Sequence, residues 1–308
     1  MTPGGPAASV RFVQLGRVGV WIAAFTVAPA AEARPAAREI ERLGYDTIWY
    51  PDGLGTRESF TNAAVLLAAT ERIRIASGIA NVWGRDGVTA ANAARVLADA
   101  FDDRFLLGLG VSHPRQVDPR GHRYRTPVAR MSAFLDSMDA DPVDSPDAAA
   151  ATRPPVPRVL AALRPRMLEL ASRKALGALT YLVPVEHTRR AREILGNDAL
   201  LIAEQKVILA SDPAEARGRA RAATAWYLDT PNYVENLRRL GFTDDDLADG
   251  GSDRLVDALI VTGDEEAIRD RVQQHLDAGA TQVAIQPLED GGPFGLTTLR
   301  RLAPLLLA

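Results

Sequence analysis

Apolar residues in this chain gather in short runs instead of alternating with polar ones. The runs are RVGVWIA from Arg17, TIWYP from Thr47, IRIASGI from Ile73, RFLLGLG from Arg104, PRVLAAL from Pro157, ALTYLV from Ala178, LIAEQKVIL from Leu201 and TQVAIQPL from Thr281. Near-continuous apolar strands are what a parallel sheet needs when helices cover both faces, because neither side then meets water. Eight of them is the count of a closed (β/α)8 TIM barrel, with the doubly wound open sheet as the alternative. Helical stripes fill the spaces between. Ala36, Ala37, Ile40 and Leu43 make one that stops at Gly44. Ile268, Val272 and Leu276 make another that starts behind Asp264 and stops at Gly279. An acidic N-cap and a glycine just past the last turn are the expected ends of such helices.

Two spacings exceed what a βα loop and helix require, so insertions are expected after strands four and seven, over 111–156 and 210–281. The first contains DADPVDSPDAAAATRPPVP, nearly free of large apolar side chains, and a mobile loop is expected at about 139–156. The second carries helix patterns over Pro213–Thr224 and Tyr233–Leu240, then an acidic turn, then VDALIV, which fits a short strand or a helix equally. Residues 1–14 read as a flexible tail and 15–308 as a single barrel domain.

Composition narrows the chemistry. Apolar residues make up 47% of the 308 and charged residues 24%, enough for a large core. A formal charge of −3 leaves no basic surface for a nucleic-acid backbone. No window carries an apolar stretch long enough to span a membrane, and no secretory pattern opens the chain, so the expected location is the cytoplasm. The absence of cysteine removes thiolate metal sites and thiol nucleophiles. Four scattered histidines, 113, 122, 187 and 275, do not make a paired-imidazole centre, and no metal is expected. The glycine pattern at Gly108 and Gly110 continues to His113 where a dinucleotide fingerprint needs a third glycine. Phosphate-loop, zinc-protease and nucleophile-elbow motifs are missing altogether.

In a barrel, sites are built from the loops at the C-terminal rim. Asp52 follows strand two, Asn81 strand three, Ser112 and His113 strand four, and His187 strand six. Each has a structural account as well: Asp52 can cap a turn, His187 can cap the helix at VEHTRR, and Ser112 and His113 can shape the loop before Pro114. His275, between Val272 and Leu276 on a helical face, is expected in the core, and His122 in a solvated basic loop.

The segments LGYDTIWYPD, ATERIRIASGIANVW, RFLLGLGVSH, GHRYRTPVARM, PRVLAALRPRMLELA, LTYLVPVEHT and AGATQVAIQPL occur in that order from about Leu15 to Leu307. Together they resemble luciferase-like oxidoreductases, most closely the branch that uses the deazaflavin coenzyme F-420. The resemblance implies a TIM barrel holding the cofactor ring at its C-terminal mouth and moving a hydride to or from a small organic substrate. A homodimer is common among such proteins. It implies that Asp52 lies near the ring, that Ser77, Gly78, Ile79 and Asn81 line its face, with a non-prolyl cis peptide in that stretch, and that Ser112 and His113 reach its edge or ribityl chain. Gly177, Ala178 and Thr180 would offer backbone amides to the cofactor phosphate, with Arg123 and Tyr124 adding charge and a hydrogen bond.

Three positions depart from the family pattern. Gly53 stands where the sugar-phosphate and alcohol dehydrogenases carry a catalytic histidine, Val111 where they carry a glutamate, and Leu176 replaces an aspartate before Gly177. His113 is then the expected proton donor, since imidazole is the side chain that titrates near neutrality. Three other expectations fit the same chain. They are an FMN-dependent monooxygenase, a barrel that binds a cofactor but has lost catalysis, and an aldolase using Lys206 as a Schiff base.

Overall fold

The computed structural model describes residues 14–140, 155–288 and 292–308. The expected N-terminal tail and most of the expected mobile loop at 139–156 lie outside the described residues. The strands are β1 (Val18–Trp21), β2 (Thr47–Tyr50), β3 (Arg74–Ser77), β4 (Ala80–Asn81), β5 (Phe105–Gly110), β6 (Arg158–Ala161), β7 (Gly177–Thr180), β8 (Leu200–Leu209), β9 (Ile260–Gly263) and β10 (Gln282–Pro287). Every pairing is parallel. The ring runs β1, β2, β3, β5, β6, β7, β8, β10 and closes on itself through Val18 opposite Val283 and Val283 opposite Ala203. These eight coincide with the eight apolar runs, and the fold is a TIM barrel with insertions after its fourth and seventh strands.

Both helix ends expected from the sequence are present. Helix Ala30–Leu43 ends at Gly44 with φ 97°. Helix Glu265–Asp277 is capped by the Asp264 carboxylate, which accepts from the Ala267 amide, and is followed by Gly279 at φ 98°. The ambiguous VDALIV run is divided between two elements. Helix Asp253–Leu259, capped by Ser252, gives way to β9, which pairs with the far end of the long β8. In the same insertion the helices span Pro213–Leu228 and Pro231–Arg239. The acidic turn holds a single helical turn closed by a Thr243–Asp246 capping box.

The barrel interior is filled by one side chain from each ring strand: Trp21, Trp49, Ala76, Leu106, Val159, Leu179, Ile202 and Ala284. Two tryptophans facing small residues fill the cylinder as a packed core, not a pore. The Trp49 indole donates to Gln282 across it at 2.8 Å. A larger apolar layer lies between strands and helices. Among the described residues no helix is long and apolar enough to cross a membrane.

Where β3 leaves β5, the Ser77 hydroxyl takes over from the ladder. It donates to the Gly108 carbonyl at 2.8 Å and accepts from the Gly108 amide at 3.0 Å. A Cβ at position 108 would sit 2.0 Å from the Ser77 carbonyl oxygen, so only glycine permits this approach. His275 is in the core as expected, fully buried between Thr188 Oγ1 at 2.8 Å and Gln205 Oε1 at 2.9 Å. Burial, then the charge of Arg271, pushes its pKa from 6.5 down to about 3.

Two consequences for stability are measurable. Gly108→Ala drives a methyl into backbone and should lower the unfolding free energy by at least about 2 kcal/mol in urea titration; an unchanged midpoint contradicts the close contact. His275 must stay neutral when folded but binds a proton readily when unfolded. Its contribution is therefore intact above pH 6.5 and lost progressively as pH falls from there towards about 3. His113 and His187, whose values burial also lowers, add to the same slope. His275→Asn should flatten the decline measured by denaturation between pH 7 and 5 (~two units of pH).

Candidate functional site

Parallel strands all end on the same side, so the segments following them converge on one mouth. There a cavity of about 1470 Å³ opens. Its floor is made by Trp21 and Leu179, which also belong to the interior layer of the barrel. That volume exceeds the roughly 300–1,000 Å³ of a typical small-molecule pocket, so there is room for two ligands side by side.

The structure brings six of the expected residues to this cavity: Asp52, Gly78, Ile79, Ser112, His113 and Tyr124. The Gly78–Ile79 peptide is cis. This segment is pinned from three directions. The Gly78 amide donates to the Tyr50 carbonyl at 2.6 Å, the Trp21 indole donates to the Gly78 carbonyl at 3.0 Å, and the Asp52 amide donates to the Ile79 carbonyl at 3.0 Å. The Asp52 carboxylate accepts from the Asn81 amide at 3.2 Å and lies 3.5 Å from the Arg85 guanidinium. Arg85 is held in turn by Glu58 at 2.6 Å and lies over the Phe60 ring. Asp52 thus presents a fixed, charge-balanced carboxylate to the mouth.

Ser112 turns the chain with φ 58°, which aims His113 across the opening. The imidazole meets the Trp226 ring edge-on at 5.1 Å, and its Nδ1 is buried without a partner. Burial, then the Arg115 charge, lowers its pKa below 6.5, so the ring is neutral at neutral pH. Gly53 and Val111, the two departures from the dehydrogenase pattern, both line the cavity and bring no titratable group to it.

Six expected residues lie elsewhere. Ser77 and Asn81 are fully buried behind the lining: the Ser77 hydroxyl is engaged by Gly108, and Asn81 Oδ1 accepts from the Trp83 amide at 3.0 Å. Arg123 is exposed and outside the lining. Gly177, Ala178 and Thr180 form β7 itself, paired to β8 at Leu200, Leu201 and Ala203. A Cβ at position 177 would sit 1.8 Å from the Leu200 carbonyl oxygen, so the glycine serves close strand approach, at the strand end away from the mouth. Leu176 precedes it there and packs under the barrel interior, so its departure from the family pattern touches no cavity loop. His187 is buried in the first turn of helix Val185–Leu195 with Nε2 2.7 Å from the Leu163 carbonyl.

Positive charge comes from a place the sequence argument overlooked. Helix Pro165–Lys174 starts at the mouth with Arg164 as N-cap and no side-chain cap. Arg166, Glu169, Leu170 and Arg173 follow at helical spacing and all line the cavity. The guanidinium groups of Arg164, Arg166 and Arg173 have no hydrogen-bond or ion-pair partner among the described residues. Arg164 acts electrostatically on Tyr124, opposing the rise that burial causes in the phenol pKa. Arg164 and Arg166 beside the helix N-terminus, with Arg173 in its last turn on the same face, form an anion-binding wall. The sequence signal is LRPRMLELASRK, where proline marks the first helical position and so the end of the helix nearest the rim.

Lys206, the Schiff-base alternative, is closed off. Its ammonium is 2% exposed, 3.1 Å from Glu204 and 3.1 Å from Gln286, outside the cavity lining. Among the described residues no group of three or more His, Cys, Asp or Glu is placed to hold a metal ion.

Comparison with known proteins places the chain in a family. A 5,10-methylenetetrahydromethanopterin reductase of Methanolobus tindarius is 24% identical over 306 residues, covering 87% of this chain and 92% of the relative. A coenzyme F-420-dependent oxidoreductase of Mycobacterium tuberculosis is 24% identical over 308 residues, covering 80% of this chain and 87% of the relative. The solved F-420-dependent tetrahydromethanopterin reductase of Methanopyrus kandleri superposes with a TM-score of 0.77 at 16% identity over 95% of this chain and 99% of its own, a likeness of fold. The family model described as luciferase-like monooxygenase matches residues 11–282, and the chain belongs to that family.

Proposed function

We propose that the protein is an oxidoreductase that binds coenzyme F-420 in the mouth cavity and passes a hydride between it and a small organic molecule. What carries the proposal is the division of one cavity into an apolar floor and a free cationic wall. Trp21, the Gly78–Ile79 peptide and Leu179 make a flat surface for a tricyclic ring, while Arg164, Arg166 and Arg173 await an anionic tail. The names of the curated relatives, an F-420-dependent oxidoreductase among them, support the same cofactor. The phosphate contact moves accordingly, from the amides of Gly177 to Thr180 to the arginines of helix Pro165–Lys174.

When bound, the reduced deazaflavin supplies a hydride. The chain's own contribution is position and electrostatics. The pinned Gly78–Ile79 segment fixes the height of the ring, Asp52 presents a fixed carboxylate balanced by Arg85 beside it, and the indole of Trp21 excludes water from below. With Gly53 and Val111 carrying no acid or base, His113 is the imidazole left at the mouth to move a proton. An activated C=C or C=N suits such a site, because its electrophilic carbon takes the hydride and the demand on the protein is then a single proton for the other atom of the double bond.

Two experiments test this. Side-by-side equilibrium titrations should show F-420 binding at least about tenfold tighter than FMN, and Arg166→Ala or Arg173→Ala should each weaken F-420 by about tenfold. Equal affinity for the two, or unaffected variants, contradicts the assignment. With reduced F-420 and a panel of electron acceptors, His113→Gln should lower turnover at least about tenfold while leaving cofactor affinity unchanged. For an imidazolium donor the rate falls as pH rises through an inflection below 6.5, and that inflection should vanish in the variant. Tight F-420 binding with no acceptor reduced would identify a barrel that has lost catalysis.

A further inference from the structure

Beside the arginine wall, the mouth is bounded by six linked rings. Trp21 meets Tyr181 at 5.0 Å, Tyr181 meets Tyr227 at 5.6 Å and Tyr227 meets Tyr233 at 5.0 Å. Trp226 meets Tyr227 at 4.9 Å and His113 at 5.1 Å. All six line the cavity. The interplanar angles run from 47° to 87°, so the rings contact one another by tilt and edge. Rings joined this way leave faces uncovered, which is the geometry that receives a flat guest. Trp226 is 41% exposed, the largest apolar side chain left open to solvent among the described residues.

The wall also has a charge preference. The Lys206 ammonium lies 3.9 Å from the centre of the Tyr181 ring and 5.4 Å from that of Tyr227, behind the cavity surface. Tyr181 therefore already serves one cation, and a second on the cavity side is disfavoured. Hydrogen-bond donors are in place too. The Tyr181 and Tyr227 hydroxyls are 2.8 Å apart, and the Tyr233 hydroxyl has no partner among the described residues. Burial raises all three phenols, Tyr227 to about 12, so they stay protonated and donate.

We propose that this aromatic wall is the substrate subsite, and that it takes a planar conjugated molecule, uncharged or anionic, with an oxygen that accepts from Tyr233. The proposal rests on the cofactor lying against Gly78, Ile79 and Leu179 over Trp21, which leaves the Tyr181, Tyr227, Tyr233 and Trp226 part of the wall free for a second ligand. Calorimetric titration of the purified protein with 2-naphthoate, cyclohexanecarboxylate and 2-naphthylmethylammonium tests it, with and without saturating F-420. Naphthoate should bind at least about tenfold tighter than either of the others, and its affinity should change less than about threefold when F-420 is present. Trp226→Ala, on the surface, should weaken naphthoate by about tenfold. Tyr233→Phe, which keeps the ring and removes the hydroxyl, should weaken it by about threefold. Equal binding of the saturated carboxylate or of the ammonium, unaffected variants, or one-for-one displacement by F-420 overturns the proposal. Failure of F-420 to bind while naphthoate behaves as stated leaves the aromatic subsite standing and sinks the cofactor assignment, so the two are separable.

Discussion

The closure of β10 onto both β1 and β8 is the constraint from which the rest follows. A ring of parallel hydrogen bonds has no free edge, and it forces every strand to end on one side. The eight segments after those ends must then share a mouth, whatever their individual sequences. Trp21 and Leu179 seal the cylinder beneath, which turns the mouth into a cavity with an apolar floor instead of a channel.

Within that frame the two insertions act as opposing walls. The one after β5 brings Ser112 and His113, and the one after β8 brings Trp226, Tyr227 and Tyr233. They meet through the His113–Trp226 contact, so the side chain most suited to proton movement is set by a residue more than a hundred positions away. The arginines of helix Pro165–Lys174 lie between them. A floor for a ring, a wall for an anion and a wall for a flat partner are three demands met by one space. Gly53 and Val111, where the dehydrogenase residues are missing, line the cavity without a titratable group, and on the proposed reading this leaves proton transfer to the imidazole.

Most of the architecture was legible in the sequence, because apolar run length and helix caps are local properties. The eight runs became the eight ring strands, Asp264 and Gly44 ended helices where expected, and His275 proved to be a core residue. Two short strands were not legible. β4 is only two residues long, and β9 exists because β8 runs on past the end of β7 and offers it the same edge. The site was read less completely. Gly78, Ile79, Asp52, Ser112, His113 and Tyr124 follow strand ends or lie in the insertion after β5, and they face the cavity. Gly177, Ala178 and Thr180 do not, because they lie within a strand whose amides are engaged by its neighbours. Which end of a strand a motif occupies decides whether it can meet a ligand. Arg164, Arg166 and Arg173 were overlooked because the facing of a helix depends on how it docks against the barrel, which periodicity alone leaves open.

The most direct measurement is a crystal structure of the protein grown with coenzyme F-420. The account predicts continuous density in the mouth, the tricyclic ring against Gly78 and Ile79 above Trp21, and the phosphate within hydrogen-bond reach of Arg164, Arg166 or Arg173. Density in the reverse orientation, with the phosphate on the tyrosine side, or an ordered mouth without cofactor at saturating concentration, would contradict it.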